Sequence, residues 1–497
     1  MTTTQQLVVI ALAILMIIAS VRVSPMNVRP RRRRLGSDTS ARLARPGELA
    51  PLVVRARNRT GRFILGYVKR RLIATEAGTA RRRFGRTWRG RGARSSVAII
   101  GPTRCGKTAA AIGGILDWDG PAVLSSVKTD LMAATIGWRR RLGEVRVFDP
   151  TGSTGHASAG WSPLRGAVRV SGAQQAARTL IDAGPRTGGE NVDFFLRLAE
   201  QLLWPHLYVA AASGHTMRDV VRWIQTQASP QDTTSDLAVC AAALPGSSGE
   251  DARQALHATW SLDHRTRTSA YATAQTLLGA WTDPGVAGSG DFDELDLAWL
   301  LEGSNTLYIC APLHHQLRLA PVFGGLLGDL VHQAYDHVNR TNAPLTPTLI
   351  VLDEAANTPT RWLPQVASTC AGIGLLLVTI WQSKAQLDAA YGVLADSVLT
   401  NHATKLFFAG ISDLPTLEYV SRLVGDEEIT RMSATTDWQH AKPSLTYSTQ
   451  PGTLLPAHVL RQSRPGRALL VHGTLPPAEL RTRPYFRDRR LRSRAAL

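Results

Sequence analysis

Apolar residues fall along this chain in short, nearly continuous runs separated by stretches with helical spacing. The strand-like runs are Val97 to Ile100, Ala122 to Ser125, Val145 to Phe148, Leu307 to Cys310, Leu349 to Leu352, Leu375 to Ile380, Lys405 to Phe408 and Ala468 to Val471. Runs that are apolar at consecutive positions suit strands covered on both faces, so the pattern predicts an α/β fold. Between Ala173 and about Leu301 the pattern changes. Phe194, Phe195, Leu198, Leu202 and Leu203 recur at helical spacing and no Val/Ile-rich strand intervenes, which predicts an all-helical insertion. Gly425 to Gly452 is polar and reads as a long surface loop or lid, and no solenoid-type repeat is evident.

The longest apolar run comes first. Leu7 to Val21 has Ser20 as its only polar residue, and Thr and Gln on one side with Arg22 on the other extend it to a single transmembrane helix. A cleaved signal peptide would carry its basic residues in front, whereas here Arg29 and Arg31 to Arg34 follow the segment. The positive-inside rule then predicts a single-pass protein of the inner membrane with the bulk of the chain in the cytoplasm.

Composition and charge sharpen this picture. With 497 residues and 44% apolar content the chain can build two or three domains and is not disordered. Its net charge of +19 is confined to one segment: residues 22–94 hold 21 Arg and one Lys against three acids. Residues 95–479 hold 28 basic against 34 acidic residues, so the core is mildly acidic. The basic arm suits either nucleic acid or anionic membrane lipid, and its place beside the anchor favours lipid. Arg62 to Ile73 mixes Phe63, Ile64, Leu65, Tyr67, Val68, Leu72 and Ile73 with basic residues, which predicts an interfacial helix. Cys105, Cys240, Cys310 and Cys370 have neither paired nor Cys-x-x-Cys spacing, so the sequence predicts no disulfide framework or zinc site. His314-His315, read as a loop after a strand, lacks a second ligand pair and is assigned a structural role.

The candidate chemistry lies at strand ends. Gly101-Pro102-Thr103-Arg104-Cys105-Gly106-Lys107-Thr108 follows one strand and opens a helix, the context a Walker A phosphate loop requires. Its glycines let backbone N–H groups wrap phosphate oxygens, Lys107 reaches the outer phosphates of ATP, and Thr108 is placed to ligate Mg²⁺. Asp353-Glu354 ends the run Leu349 to Leu352 as a Walker B pair, with Asp353 for the Mg²⁺ shell and Glu354 for the attacking water.

These residues, together with Ser126 to Leu131, Phe148-Asp149-Pro150, Trp161 to Leu164, Leu352 to Asn357 and Trp381 to Gly392, resemble the TraG/TraD-like coupling ATPases of type IV secretion. The resemblance spans roughly residues 95–487. It implies a RecA-like P-loop NTPase domain with an inserted all-α domain, an N-terminal membrane anchor of one transmembrane helix and a homo-hexamer around a channel. It implies ATP hydrolysis coupled to delivery of DNA, or a relaxase–DNA complex, to type IV secretion channel components. Gln382 matches the family's γ-phosphate-sensing glutamine. The segments follow as 1–24 anchor, 25–94 arginine arm, 95–172 and 302–487 NTPase domain, 173–301 helical insertion, and 488–497 basic tail. No arginine occurs from Trp362 to Ser421, where relatives place an arginine finger. Arg422 is therefore the expected catalytic arginine from a neighbouring subunit, with Arg431 next along the chain and Arg104 the alternative in cis. An FtsK-like double-stranded DNA translocase and a nucleotide-bound docking scaffold are the rival readings.

Overall fold

The computed structural model describes residues 40–55, 59–76, 80–83, 86–89, 96–126, 128–184, 192–358, 360–437 and 440–497. The expected membrane helix at Leu7 to Val21 lies outside them. Among the described residues no helix is long and apolar enough to cross a membrane. These residues form two compact units, one of residues 42–425 and 453–497 and the other of Asp426–Gly452 with the residues before Arg42.

The strands in chain order are β1 (Ile64–Val68), β2 (Arg71–Ala74), β3 (Ala80–Arg83), β4 (Arg86–Arg89), β5 (Val97–Ile100), β6 (Ala122–Ser126), β7 (Val145–Phe148) and β8 (Thr306–Cys310). They continue with β9 (Thr348–Leu352), β10 (Leu375–Trp381), β11 (Thr404–Phe408), β12 (Asp426–Asp437), β13 (His440–Thr453), β14 (Arg467–His472) and β15 (Leu475–Thr482). Eleven of them make one sheet in the order β2-β1-β15-β14-β11-β5-β10-β9-β6-β8-β7. From β11 to β7 the neighbours pair in parallel. The other four extend the β11 side in antiparallel pairs.

Helices cover both faces of the parallel part of this sheet, which is why β5, β6, β8, β9 and β10 are buried along their whole length. Val97 and Ile99 join one buried cluster, with Ile112, Ile115 and Leu131, while Ala98 and Ile100 join the other, with Trp161, Leu180 and Leu203. Between β7 and β8 the chain is helical, from Val170–Ala183 to Leu297–Leu301. Leu202, Leu203, Leu207 and Trp223 are buried there, whereas Phe194 is half exposed and is not a core residue.

Three expectations are corrected. Arg62 to Ile73 is not an interfacial helix but the start of the β1–β2 hairpin, with Lys69 at its turn in the left-handed region (φ 55). Phe63, Ile64, Leu65 and Ile73 are buried, so these residues cannot also enter lipid. The burial of Arg62 explains how a basic residue belongs there: its guanidinium donates to the carbonyls of Thr75 at 2.6 Å, Leu52 at 2.9 Å and Val53 at 3.2 Å. Phe63 also packs on Gly114 so closely that a Cβ there would lie 2.3 Å from its ring. The large sheet thus begins well before residue 95.

Residues 425–452 are likewise not a loop: β12 and β13 pair as a two-stranded ribbon. Pairing satisfies backbone groups that a structureless segment of this length would leave to solvent. Ala41 N donates to Asp426 O at 2.9 Å within the same unit. His314 and His315 lie in the first turn of the Leu313–Thr341 helix rather than on a loop.

The basic tail is also structured. Asp488 caps a helix at Arg489–Ala495, accepting from the N–H groups of Arg490 and Leu491 at 3.1 Å each. Arg494 lies 4.2 Å over the Trp138 ring. Its guanidinium also meets Asp117 Oδ1 at 2.9 Å, and Asp117, whose side chain is 0% exposed, is joined by Arg59 at 2.6 Å and by Arg483. Asp117 ends the helix that starts at the phosphate loop, so the C-terminus of the chain is tied to that helix.

Candidate functional site

Parallel order brings the ends of β5, β10 and β9 side by side, with β10 in the middle. The Walker A loop, Gln382 and the Asp353-Glu354 pair leave these three ends, and all of them line one cleft of ≈ 640 Å³. Loops at the carboxyl edge of a parallel sheet are where such folds bind ligands.

The phosphate loop is shaped by its glycines. A Cβ on Gly101 would lie 2.7 Å from Phe408 Cβ and 2.9 Å from Cys105 Sγ, and Gly106 takes φ 97 as it opens the Lys107–Asp117 helix. Thr103, Arg104, Cys105, Gly106, Lys107 and Thr108 line the cleft. Gly101 and Pro102 hold Lys107 instead, their carbonyls accepting from its Nζ at 2.5 and 2.7 Å. Burial pushes the Lys107 ammonium below the usual lysine range, while Asp353 and Glu354 pull it the other way. An incoming phosphate would offer this ammonium a full negative charge in place of two carbonyl dipoles.

Asp353 is 6% exposed, and burial first, then the neighbouring Glu354, raises its pKa to about 6. Its Oδ2 accepts from Ser126 Oγ at 3.2 Å and from Thr108 Oγ1 at 3.5 Å. A buried carboxylate pressed toward its neutral form, with two hydroxyl oxygens against it, is an all-oxygen donor set suited to a hard divalent cation such as Mg²⁺. Glu354 sits in the left-handed region (φ 54), and its Oε2 accepts from Asn357 Nδ2 at 3.0 Å. Lys128 Nζ approaches Glu354 Oε1 at 3.9 Å. The segment from Ser126 to Leu131 therefore reaches the site through Ser126 and Lys128, whose roles the sequence did not reveal.

Gln382 follows β10 and lines the cleft, while Ser383 caps the next helix by accepting from Gln386 N at 3.1 Å. Capping is thus not the job of Gln382. Arg422 is elsewhere: it occupies the last turn of the Leu414–Val424 helix, its side chain 84% exposed and paired at 3.6 Å with Glu418 on the same helix. The structure brings Arg104, not Arg422, into the cleft of its own chain.

The opposite wall was missed by sequence reasoning altogether. Pro465, Gly466, Thr482, Pro484, Phe486 and Arg487 line it, and Phe486 is 50% exposed. Only the order Tyr485-Phe486-Arg487 in an arginine-rich tail hinted at an aromatic and a cation available together.

The pKa of Asp353 gives a testable pH dependence. A proton competes with a divalent cation for this carboxylate, so Mg²⁺-nucleotide affinity should fall about tenfold per pH unit below 6 and level off above about 7. The sign reverses for the ligand-free chain: the raised pKa makes the native state bind a proton more tightly than the unfolded chain. That contribution to stability is present below pH 3.8 and is lost as pH rises through about 6. Fluorescent-nucleotide titrations between about pH 5 and 8 and urea unfolding between about pH 3.5 and 7 measure the two trends.

A family model described as type IV secretory system conjugative DNA transfer matches residues 58–496. Among solved structures, the plasmid coupling protein TrwB in complex with the ATP analogue ADPNP is 16% identical, with a TM-score of 0.62 over 91% of this chain and 94% of that one. TrwB in complex with ADP and Mg²⁺ is also 16% identical, with a TM-score of 0.59 over 88% and 96%. The trigonal form of the bacterial conjugative coupling protein TrwBdeltaN70 with sulphate is 17% identical, with a TM-score of 0.60 over 81% and 90%. No curated protein sequence matches the chain.

Proposed function

Because the chain belongs to the type IV secretory system conjugative DNA transfer family, we propose that it is a membrane-anchored, Mg²⁺-dependent ATPase that drives DNA, or a relaxase–DNA complex, into a secretion channel. The observation that carries this reading is the convergence of Lys107, Thr108, Asp353, Glu354 and Gln382 on one cleft. TrwB, which has the same fold, is known in complex with ADPNP and with ADP and Mg²⁺, which supports ATP and Mg²⁺ here.

In this reading the backbone N–H groups of the loop and Lys107 Nζ bind the β- and γ-phosphates. Thr108 Oγ1 and Asp353 hold Mg²⁺, which when bound neutralises phosphate charge. Ser126 Oγ orients Asp353 from behind. Glu354 Oε1 takes the proton of the attacking water, and Lys128 Nζ, 3.9 Å from it, helps to aim that carboxylate. Gln382 donates from its amide to the γ-phosphate and accepts from the same water, so it reports hydrolysis at the end of β10. Phe486 offers a face to the base, and Arg487 adds a cation at the opposite wall.

Arg422 is assigned to the cleft of a neighbouring subunit in a homo-hexamer. An exposed same-helix pair such as Arg422–Glu418 costs little to break. Leu7 to Val21 anchors the chain in the inner membrane, and the arginines directly after it meet anionic lipid. The experiment is ATPase activity of the full chain against protein concentration, with Mg²⁺ or with EDTA, for wild type and Arg422→Ala. Expected are Mg²⁺-dependent turnover per subunit that rises on assembly, and an Arg422→Ala chain that assembles and binds ATP but is slowed about 10³-fold or more. No turnover in Mg²⁺ would overturn the ATPase reading, and turnover unaffected by EDTA its Mg²⁺ dependence; an unimpaired variant would remove Arg422 alone.

A further inference from the structure

The helical region carries a second cluster of ligating side chains that the nucleotide cleft does not use. His215, Asp236 and Cys240 each offer one ligand atom, and these atoms all lie within 4.8 Å of one another. Local structure accounts for the placement. The Val192–Ala212 helix ends at Gly214 (φ 75), and His215 N donates back to Ala210 O at 2.8 Å, a left-handed C-terminal turn that swings His215 beside the next helices. Asp236 and Cys240 are one turn apart on the Asp236–Ala243 helix and so share a face.

The hydrogen bonds fix which imidazole nitrogen is available. Ser213 Oγ donates its single proton to Val209 O at 2.5 Å, so toward His215 Nδ1, 3.0 Å away, it can only accept. Nδ1 therefore carries the ring proton and Nε2 presents a lone pair. Cys240 Sγ lies 3.8 Å from Nε2 and 3.9 Å from Nδ1, nearly equidistant from the two ring nitrogens. A tetrahedral zinc ion holds its N and S ligands roughly 3.6 Å apart, so Nε2 and Sγ are within reach of one ion once the imidazole turns its Nε2 lone pair toward the thiol. Arg222 pairs with Asp236 Oδ2 at 2.5 Å, which leaves Oδ1 for a cation. The Trp223 ring, 5.4 Å from the imidazole and buried, supports it from one side.

We propose that His215 Nε2, Cys240 Sγ and Asp236 Oδ1 form a mixed-ligand site for one zinc-class divalent cation, with the fourth position open to water or a partner's side chain. Sulfur, nitrogen and oxygen donors together select a borderline-soft ion over Mg²⁺. Ser213 is the positioning residue, holding the tautomer that exposes Nε2. Spacing among cysteines alone could not reveal such a site, because two of its three ligands are not cysteine.

Cobalt(II) is the probe, titrated into the full chain under reducing conditions. One Co²⁺ per chain should bind with a thiolate-to-cobalt charge-transfer band in the near ultraviolet. Cys240→Ser should abolish that band, His215→Gln should weaken binding about 100-fold, and Ser213→Ala should weaken it about tenfold. Cys105→Ser and Lys107→Ala should keep band and affinity, which separates this site from the phosphate loop. Circular dichroism checks that each variant is folded. A folded wild-type chain without the band, or a Cys240→Ser chain that retains it, overturns the proposal.

Discussion

Lys107→Ala should abolish nucleotide binding, whereas Glu354→Gln should leave binding intact and lower turnover by about 10²- to 10⁴-fold. The two differ because the residues act at different stages. Lys107 Nζ is already released from bulk water and held by two loop carbonyls, so a phosphate gains a preformed, partly desolvated cation. Glu354 contributes only when a proton leaves the attacking water. Its left-handed backbone and its contact with Asn357 Nδ2 are open to glutamine as well, so the amide should keep the local structure and lose only the base. Filter binding with ATP and single-turnover hydrolysis measure both, and the Glu354→Gln chain should hold ATP unhydrolysed. Wild-type hydrolysis by that variant would remove Glu354 from the mechanism.

Asp117→Asn should destabilise the chain by about 3–5 kcal/mol, the loss seen when a buried ion pair is broken on one side. The carboxylate is wholly buried and faces Arg59, Arg483 and Arg494; the side chains of Arg483 and Arg494 are only 9% and 15% exposed. Removing its charge strands these cations, Arg483 retaining Asp488 at 2.6 Å. Urea unfolding compares the variant with Glu418→Gln, an exposed pair expected to change stability by less than about 1 kcal/mol. Nucleotide binding should weaken as well, because Arg483 anchors the segment that brings Phe486 and Arg487 to the cleft. A stability change as small as that of the exposed pair would refute the role given to this network.

Sequence by itself determined the eight strand-like runs that became β5 to β11 and β14, and it determined which strand ends carry chemistry. These features are local: apolar continuity marks a strand buried on both faces, and a phosphate loop is written in consecutive residues. Only the tertiary structure decided the rest. β1 and β2 read as an interfacial helix because apolar and basic residues alternate there without a clear period, and their burial depends on the distant β15 and on Gly114. β15 escaped notice because Leu475-Pro476-Pro477 resembles a loop, and its ladder is completed by β14 and β1. β12 and β13 pair with each other over residues too polar to announce a core. At the site, Phe486 and Arg487 lie more than 370 residues from the phosphate loop, and Ser126 and Lys128 became interpretable only once Asp353 and Glu354 stood beside them. Contacts between such distant residues depend on how strands are ordered in the sheet, and that order is set by the competition among long-range burials rather than by any local run of residues.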